Sequence, residues 1–161
     1  AIDQLHIVPV SISYEWESCD ILKTLELYES QFSKYTKKPG EDLNSILTGI
    51  VQFKGRVHID LCDPISHAEL AKFENLTNNE YHKAVALLLD SRINTAYRLY
   101  PNNYIVYDLR YGTTKYQDCY TQEQKELFLK RVKELERYEP CAIGKLMDIF
   151  LGIYSNPINN K

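Results

Sequence analysis

The stretch that decides the fold is His6-Ile7-Val8-Pro9-Val10-Ser11-Ile12-Ser13-Tyr14. Apolar side chains recur at every second position, at Val8, Val10 and Ile12, which is the period of a β-strand. Pro9 has no N–H to give to a ladder, so this strand either lies at a sheet edge or begins near Pro9. A strand needs neighbours, and one so close to the first residue predicts a fragment of a larger protein.

Two helices and a second strand are predicted next along the chain. Residues 19–35 and 41–53 carry apolar residues at helical spacing, and Lys37-Lys38-Pro39-Gly40 separates the two segments. Gly55 ends the second helix. Residues 56–61 form a short β-type run before Asp63-Pro64, where the residue preceding proline is held extended.

The rest of the chain is predicted to be helical. Three helix starts share one device, a Ser or Thr followed three residues later by Glu or Gln. The pairs are Ser66 with Glu69, Thr77 with Glu80, and Thr121 with Gln124. The second of these helices has an apolar stripe that runs to Tyr100. The third is predicted to end near Pro140 and to turn four side chains inward, Leu127, Phe128, Val132 and Leu135.

Two segments complete the prediction. Residues 104–109 form either a short third strand or an extended connection, and the pattern favours neither. Residues 143–154 form a last helix that is apolar on nearly every side. The fold class is therefore α/β and helix-rich, a single domain of two or three strands with about five or six helices.

Composition excludes several classes of protein. A formal charge of -3 gives no broad basic field for nucleic acid. No apolar run approaches the roughly 20 residues of a membrane-spanning helix. The four cysteines, Cys19, Cys62, Cys119 and Cys141, show no Cys-x-x-Cys spacing and are interpreted as free thiols in a reducing cytosol. A zinc site built from distant Cys and His residues stays open, although no spacing favours it.

One pair of residues has catalytic spacing. His58 and Asp63 match the His-x4-Asp dyad of acyltransferases, in which the His is the general base. On a strand, residues five apart point to opposite faces and lie on the order of 16 Å apart, whereas a base and its orienting group need about 3 Å. A sharp turn at Cys62 would be needed to join them. We therefore expect His58 and Asp60 to share one strand face while Val57, Ile59 and Leu61 pack on the other, and we predict no catalytic residue.

Two further features have alternative interpretations. Seven tyrosines between Tyr97 and Tyr120 could line a ligand groove or an interface, but packing on the core explains them as well. The apolar last helix is either buried in the core or in contact with another domain or a membrane, and core burial is the first expectation.

The segment Tyr111-Gly112-Thr113-Thr114-Lys115 lacks the Glu and Arg of the Glu-Gly-Thr-Arg motif that would hold a phosphate.

Three segments together resemble the lysophosphatidate-type glycerolipid acyltransferases, in a branch typical of Bacteroides-like bacteria. Residues 7–15 resemble the family's fourth block, an apolar-Pro-apolar strand. Residues 54–60, leading to Asp63-Pro64-Ile65, are similar to the strand that follows it. Asp148-Ile149-Phe150-Leu151-Gly152-Ile153-Tyr154-Ser155-Asn156-Pro157 looks like the branch's C-terminal signature.

The resemblance implies the C-terminal, non-catalytic part of a mixed-sheet enzyme that transfers an acyl group from a thioester to a glycerolipid hydroxyl. Residues 1–65 would end the α/β core and residues 66–161 would form a helical extension. The catalytic blocks belong to a missing N-terminal half, so only Val8, Pro9 and Val10 carry over, as a wall of the substrate or acyl channel. No cofactor or metal is implied. The expected location is cytoplasmic, with peripheral contact at the inner membrane face.

The alternative function comes from a different class. In it the chain is a helical interaction module that docks a partner protein or a membrane surface through the tyrosine-rich stretch and the last helix.

Overall fold

The computed structural model describes residues 5–138 and 142–160. These residues form two strands, seven α-helices and two 3₁₀ turns, so the helix-rich α/β class is confirmed. The elements are β1 (Val10–Tyr14), α1 (Asp20–Ser30), α2 (Glu41–Val51), β2 (Val57–Leu61), α3 (His67–Ala71), α4 (Asn78–Ala96), α5 (Pro101–Tyr111), a turn (Gln117–Cys119), α6 (Gln122–Lys133), a turn (Glu134–Arg137) and α7 (Ile143–Asn159).

The chain packs as two compact units. The first is built from residues 5–13 and 58–98, and the second from the described residues of 14–57 and 99–160. The predicted division near residue 65 concerns a larger protein and stays a prediction.

The strands β1 and β2 form an antiparallel pair with a definite register. Backbone hydrogen bonds from Cys62 N to Pro9 O (3.0 Å) and from Glu15 N to Arg56 O (2.9 Å) lie beyond the two ends of the ladder. This register sets Ile12 opposite Ile59, and residues directly opposite each other share a face. Because β1 begins at Val10, the expectation that the strand starts near Pro9 is confirmed.

The turn before β2 depends on Gly55. Its φ of +63° lies in the left-handed region, and an added Cβ would come within 2.7 Å of Glu15 Oε2. That close approach lets Glu15 accept hydrogen bonds from both the backbone N (3.0 Å) and the guanidinium of Arg56. The Arg56 side chain holds the pKa of the Glu15 carboxyl below its usual range.

The first unit has a small apolar core and a capped helix start. Ile65, Leu70 and Val85 are buried together. Ser66 begins α3 as predicted: Glu69 accepts hydrogen bonds from its backbone N and hydroxyl, at 3.0 and 2.7 Å. Glu69 also pairs with Arg92 of α4 at 2.5 Å, so one carboxylate ties α3 to α4. The other two predicted helix starts, at Thr77 and Thr121, are confirmed as well.

The hydrogen bonds of the Glu69 carboxylate should make the stability of the first unit sensitive to acid. Hydrogen bonds from Ser66 and then Arg92 lower the pKa of Glu69 from 4.5 to about 2. A depressed pKa stabilises the fold above the unfolded value and loses that contribution as the pH falls toward the folded value. We expect wild-type protein to lose more thermal stability between pH 5 and pH 2 than Glu69→Gln does, measured by circular dichroism. Glu74→Gln is the control, and equal losses in wild type and Glu69→Gln would contradict the assignment.

The core of the second unit lies among α1, α5, α6 and α7. Its large side chains are fully buried and include stacked and edge-on aromatic rings. The fully buried members are Ile105, Val106, Phe128, Leu135, Leu146, Phe150 and Tyr154. The inward positions predicted for Phe128, Val132 and Leu135 are confirmed, whereas the prediction for Leu127 is wrong because this side chain is 54% exposed. The predicted helix end near Pro140 lies outside the described residues.

Residues 104–109 are neither a strand nor an extended connection, because they form the middle of α5. Pro101 occupies the first turn, where its missing N–H costs nothing, and Asn103 Oδ1 accepts a 2.7 Å hydrogen bond from Tyr100 N. Gly112, at φ +62°, ends the helix. Ile105 and Val106 are then fully buried, so packing overrides their β-propensity.

A buried ionic network joins α1, α6 and α7. Asp20 is 1% exposed and accepts hydrogen bonds from Arg131 Nη2 (2.5 Å), Tyr154 OH (2.9 Å) and Gln52 Nε2 (3.3 Å). Tyr154 OH in turn accepts a 3.1 Å hydrogen bond from Glu17 N. Burial, followed by the Asp20 charge, raises the pKa of Tyr154 far above its ordinary value. Burial beside Asp20 therefore keeps Tyr154 neutral, and Arg131 forms the ion pair with Asp20.

Removing one partner of this network should destabilise the protein strongly. Arg131→Met leaves Asp20 buried and uncompensated, which costs about 3 to 5 kcal/mol of unfolding free energy. Tyr154→Phe removes one hydrogen bond and should cost about 1 to 3 kcal/mol. Lys23→Met is the matched control, because its pair with Glu26 is exposed and worth less than about 1 kcal/mol. Urea unfolding measures all three, and equal losses for Arg131→Met and Lys23→Met would refute this account.

Candidate functional site

His58 does not form a catalytic dyad. It lies on β2 with its side chain 35% exposed, and its Nε2 is 3.8 Å from Asp60 Oδ2, beyond hydrogen-bond distance. Asp63 follows the strand, and its backbone carbonyl accepts a hydrogen bond from Arg92. His58 and Asp60 therefore share a strand face, as expected.

Within residues 5–138 and 142–160, no three His, Cys, Asp or Glu side chains are grouped to hold a metal ion. Cys19, Cys62 and Cys119 are free thiols, while Cys141 lies outside the described residues. Burial raises the pKa of the Cys19 thiol, which disfavours the reactive thiolate.

The candidate site is instead an apolar surface on the two-stranded sheet. Five side chains define it, and we call it the outer sheet face: Val8, Val10, Ile12, Ile59 and Leu61. They are between 42% and 73% exposed. Val8 and Val10 of the predicted channel wall lie on this surface, whereas Pro9 is buried on the opposite side. The expectation that Ile59 and Leu61 pack on the core is wrong, because they point to solvent together with Val57.

The opposite face of the sheet is polar, and its side chains on β1 are buried. Ser11 and Ser13 are fully buried. Their hydroxyls form hydrogen bonds with backbone groups of α4 and of the segment that follows it. Ser11 Oγ donates to Ile93 O at 3.0 Å, and Ser13 Oγ accepts from Arg98 N at 2.9 Å. These small side chains let α4 approach closely. An antiparallel sheet with one solvated face ordinarily buries its apolar side, and this sheet does the reverse.

A second apolar surface lies on α2 in the second unit. The helix buries no residue, although it is rich in Leu and Ile. We call its exposed apolar side chains the α2 stripe: Leu43, Ile46, Leu47, Ile50 and Val51, with Phe53 just beyond the helix. They are 52% to 79% exposed.

The features that the sequence suggested for docking are mainly structural. In α7, Leu146, Phe150 and Tyr154 are fully buried, which agrees with the first expectation for this helix. Tyr107 packs against Tyr111 and Tyr116 with ring centroids 4.6 and 5.0 Å apart. These tyrosines pack on one another rather than line an open groove.

Sequence reasoning grouped the side chains of both surfaces by their spacing, but it did not place the α2 residues at a surface and it expected Ile59 and Leu61 to pack. The signal that could have corrected it is the polarity of the alternate positions. Ser11 and Ser13 on β1, and Ser45 and Thr48 on α2, are small polar side chains that suit a close, hydrogen-bonded contact.

Comparison with known proteins gives no further identification, since no family model, curated protein or solved structure matches this chain. Among the described residues, no helix is long and apolar enough to cross a membrane. The described residues offer two apolar surfaces for contact, the outer sheet face and the α2 stripe.

The outer sheet face should tolerate polar substitution in this chain. Ile59→Ser removes a side chain that is 61% exposed and should change the unfolding free energy by less than about 0.5 kcal/mol. Leu70→Ala, at a side chain 3% exposed, should cost about 2 to 5 kcal/mol. Urea unfolding compares the two variants, and a large loss for Ile59→Ser would mean that the outer face is packed within the chain.

Proposed function

We propose that this chain is the non-catalytic C-terminal scaffold of a glycerolipid acyltransferase, and that its outer sheet face packs against the catalytic part. The whole enzyme would transfer an acyl group from a thioester donor to a glycerolipid hydroxyl. Its location would be cytoplasmic, in peripheral contact with the inner membrane face. The observation that carries the proposal is the reversed sheet, with serines buried and five apolar side chains exposed.

The free energy of burying apolar surface favours a protein partner on the outer sheet face. Burying exposed apolar surface is worth roughly 25 cal/mol per Å², so contiguous Val, Ile and Leu side chains on a sheet favour contact with another apolar surface. Both strands of this sheet are also edge strands, and unpaired backbone groups at an edge can pair with a further strand. A larger sheet that continues from β1 or β2 and is covered on its outer face satisfies both requirements.

The resemblance to the acyltransferases indicates that the partner of the outer sheet face is the catalytic part of the enzyme. Val8, Pro9 and Val10 match the apolar-Pro-apolar block of the acyltransferase family, and Val8 and Val10 lie on the outer face. In the proposed enzyme they form a wall of the acyl or substrate channel. The general base and the phosphate-binding residues would belong to the catalytic part.

The coding sequence before the Ala1 codon tests this proposal directly. We expect it to encode His-x4-Asp followed by Glu-Gly-Thr-Arg in the same reading frame. Sequencing the genomic DNA upstream of this codon checks the expectation. A stop codon or an unrelated domain there would overturn the acyltransferase assignment and favour a self-standing interaction module.

The same proposal predicts that the 161-residue chain is inactive alone. Purified chain should release no thiol from acyl-coenzyme A in the presence of lysophosphatidate, and His58→Ala should change nothing. In the longer protein, Ile59→Asp should lower stability by about 2 to 5 kcal/mol, because the carboxylate would be buried without a partner. In the isolated chain that substitution should have almost no effect. Turnover by the isolated chain that His58→Ala abolishes would show that the active site had been misplaced.

A further inference from the structure

Helix α2 is held on the second unit by its polar side, and this fixes the direction of its apolar side. Gln52 Oε1 accepts a 3.0 Å hydrogen bond from Cys19 N, and Gln52 Nε2 donates to Glu17 O at 3.2 Å. Cys19 Sγ donates to Ser45 O at 3.3 Å. The inward positions, Ser45, Thr48, Gly49 and Gln52, repeat at helical spacing and are half-buried. The helix cannot roll to bury its stripe without breaking these contacts.

The α2 stripe has the spacing of one helix face. Leu43, Ile46, Leu47 and Ile50 recur at intervals of three, one and three residues and are between 52% and 69% exposed. Val51 and Phe53 extend the surface at 79% and 75% exposure. Six large apolar side chains in 11 consecutive residues are too contiguous for scattered surface hydrophobicity. An exposed apolar surface of this kind marks a site of contact with another protein or with a membrane.

The charge around the stripe identifies what covers it. Residues 32–56 contain five basic side chains and two acidic ones, which gives +3. Because the whole chain carries -3, the remaining residues carry -6. The basic residues flank the stripe on both sides in the sequence: Lys34, Lys37 and Lys38 precede α2, and Lys54 and Arg56 follow it.

The two acidic groups of this segment are already engaged. Asp42 pairs with Lys37, with Nζ and Oδ1 2.5 Å apart. Glu41 accepts hydrogen bonds from the Tyr35 hydroxyl and from Lys38 N, the latter at 2.9 Å. Lys54 Nζ lies at the carboxyl end of α2, where it donates to Ile50 O and Gln52 O at 3.2 and 3.0 Å. Lys37 and Arg56 are likewise paired, with Asp42 and Glu15. The cations left around the stripe are Lys34, Lys38 and Lys54, against the single charge of Glu41, so the flanks stay net positive.

We propose that α2 lies in the headgroup region of an anionic lipid bilayer, with the α2 stripe buried among the acyl chains. At 1.5 Å per residue the helix is about 16 Å long, so it can lie in the interface but cannot span the membrane. Amphipathic helices with aliphatic and aromatic residues on one side and flanking lysines bind membranes in this way. The lysines favour an anionic leaflet, because each adds attraction to its negative surface potential. The α2 stripe shares no residue with the outer sheet face, and this proposal does not depend on the acyltransferase assignment.

Vesicle flotation with the full 161-residue chain tests the proposal. Vesicles of phosphatidylcholine with one third phosphatidylglycerol are compared with vesicles of pure phosphatidylcholine. We expect the partition coefficient to be at least about tenfold higher on anionic vesicles, and to fall toward the neutral-vesicle value in high salt. Ile46→Gln/Ile50→Gln should lower the coefficient at least about tenfold. Leu5→Gln/Leu87→Gln is the matched control, since both leucines are more than half exposed and belong to the first unit.

A charge variant and a depth measurement complete the experiment. Lys34→Gln/Lys38→Gln should weaken binding to anionic vesicles about tenfold, whereas Lys72→Gln/Lys83→Gln should not. In Phe53→Trp, bromine-labelled acyl chains should quench the emission more strongly than in the wild type, whose single Trp16 is half-buried and stacked on Phe128. This second measurement does not depend on the double isoleucine variant folding.

The outcomes separate the proposal from its competitors. Equal binding by wild type and Ile46→Gln/Ile50→Gln, or no quenching of Trp at position 53, would overturn it. Absence of vesicle binding, with a wild-type dimer that Ile46→Gln/Ile50→Gln dissociates in sedimentation analysis, would assign the stripe to a second copy of the chain. Upstream sequencing can fail without affecting this result, so the two proposals are tested independently.

Discussion

The two-stranded ladder is attached to α4 by hydroxyl groups, and the arrangement of the first unit depends on that attachment. Ser11 and Ser13 are fully buried and bond to Ile93 O and Arg98 N. Because successive side chains of a strand point to opposite faces, fixing these serines inward sends Val10 and Ile12 outward. Replacing both serines with larger apolar residues would separate the strand from α4 and leave the Arg98 amide without its partner.

Sequence patterns identified which residues share a face but not which face is buried. Period-2 alternation grouped Val8, Val10 and Ile12 correctly, and helical spacing grouped Leu43, Ile46 and Ile50. For Ile59 and Leu61, the expectation of packing rested on the usual preference of apolar residues, which a surface that requires a partner does not obey. In α6, by contrast, Phe128 and Val132 pack within the chain, and there the usual preference gave the right answer. The direction of burial is a tertiary property, decided by what packs against each side.

The helix boundaries were predicted well where a side chain caps the backbone. Ser66 and Thr121 accept hydrogen bonds from the backbone N of the third residue of their helices, a local interaction that the sequence specifies directly. α5 was missed because Tyr104, Ile105, Val106 and Tyr107 favour a strand when taken alone. Their helical state depends on contact with α7, including the 2.9 Å hydrogen bond from Asn103 Nδ2 to Tyr154 O, 51 residues away. No local pattern contains that contact, although Pro101 and Gly112 mark both ends of the helix.

Gln52 connects the buried ionic network of the second unit to α2. Asp20 is buried in the second unit, where it accepts hydrogen bonds from Arg131 and Tyr154. Gln52, at the carboxyl end of α2, also donates to Asp20 and so joins the helix to this network. Gln52 also holds Cys19 N and Glu17 O, so its side-chain amide is bonded on both of its ends. A buried polar group with complete hydrogen bonding specifies one arrangement, because any other leaves donors and acceptors unpaired. The polar interior therefore determines the orientation of α2, and the apolar residues of that helix are left for an external partner.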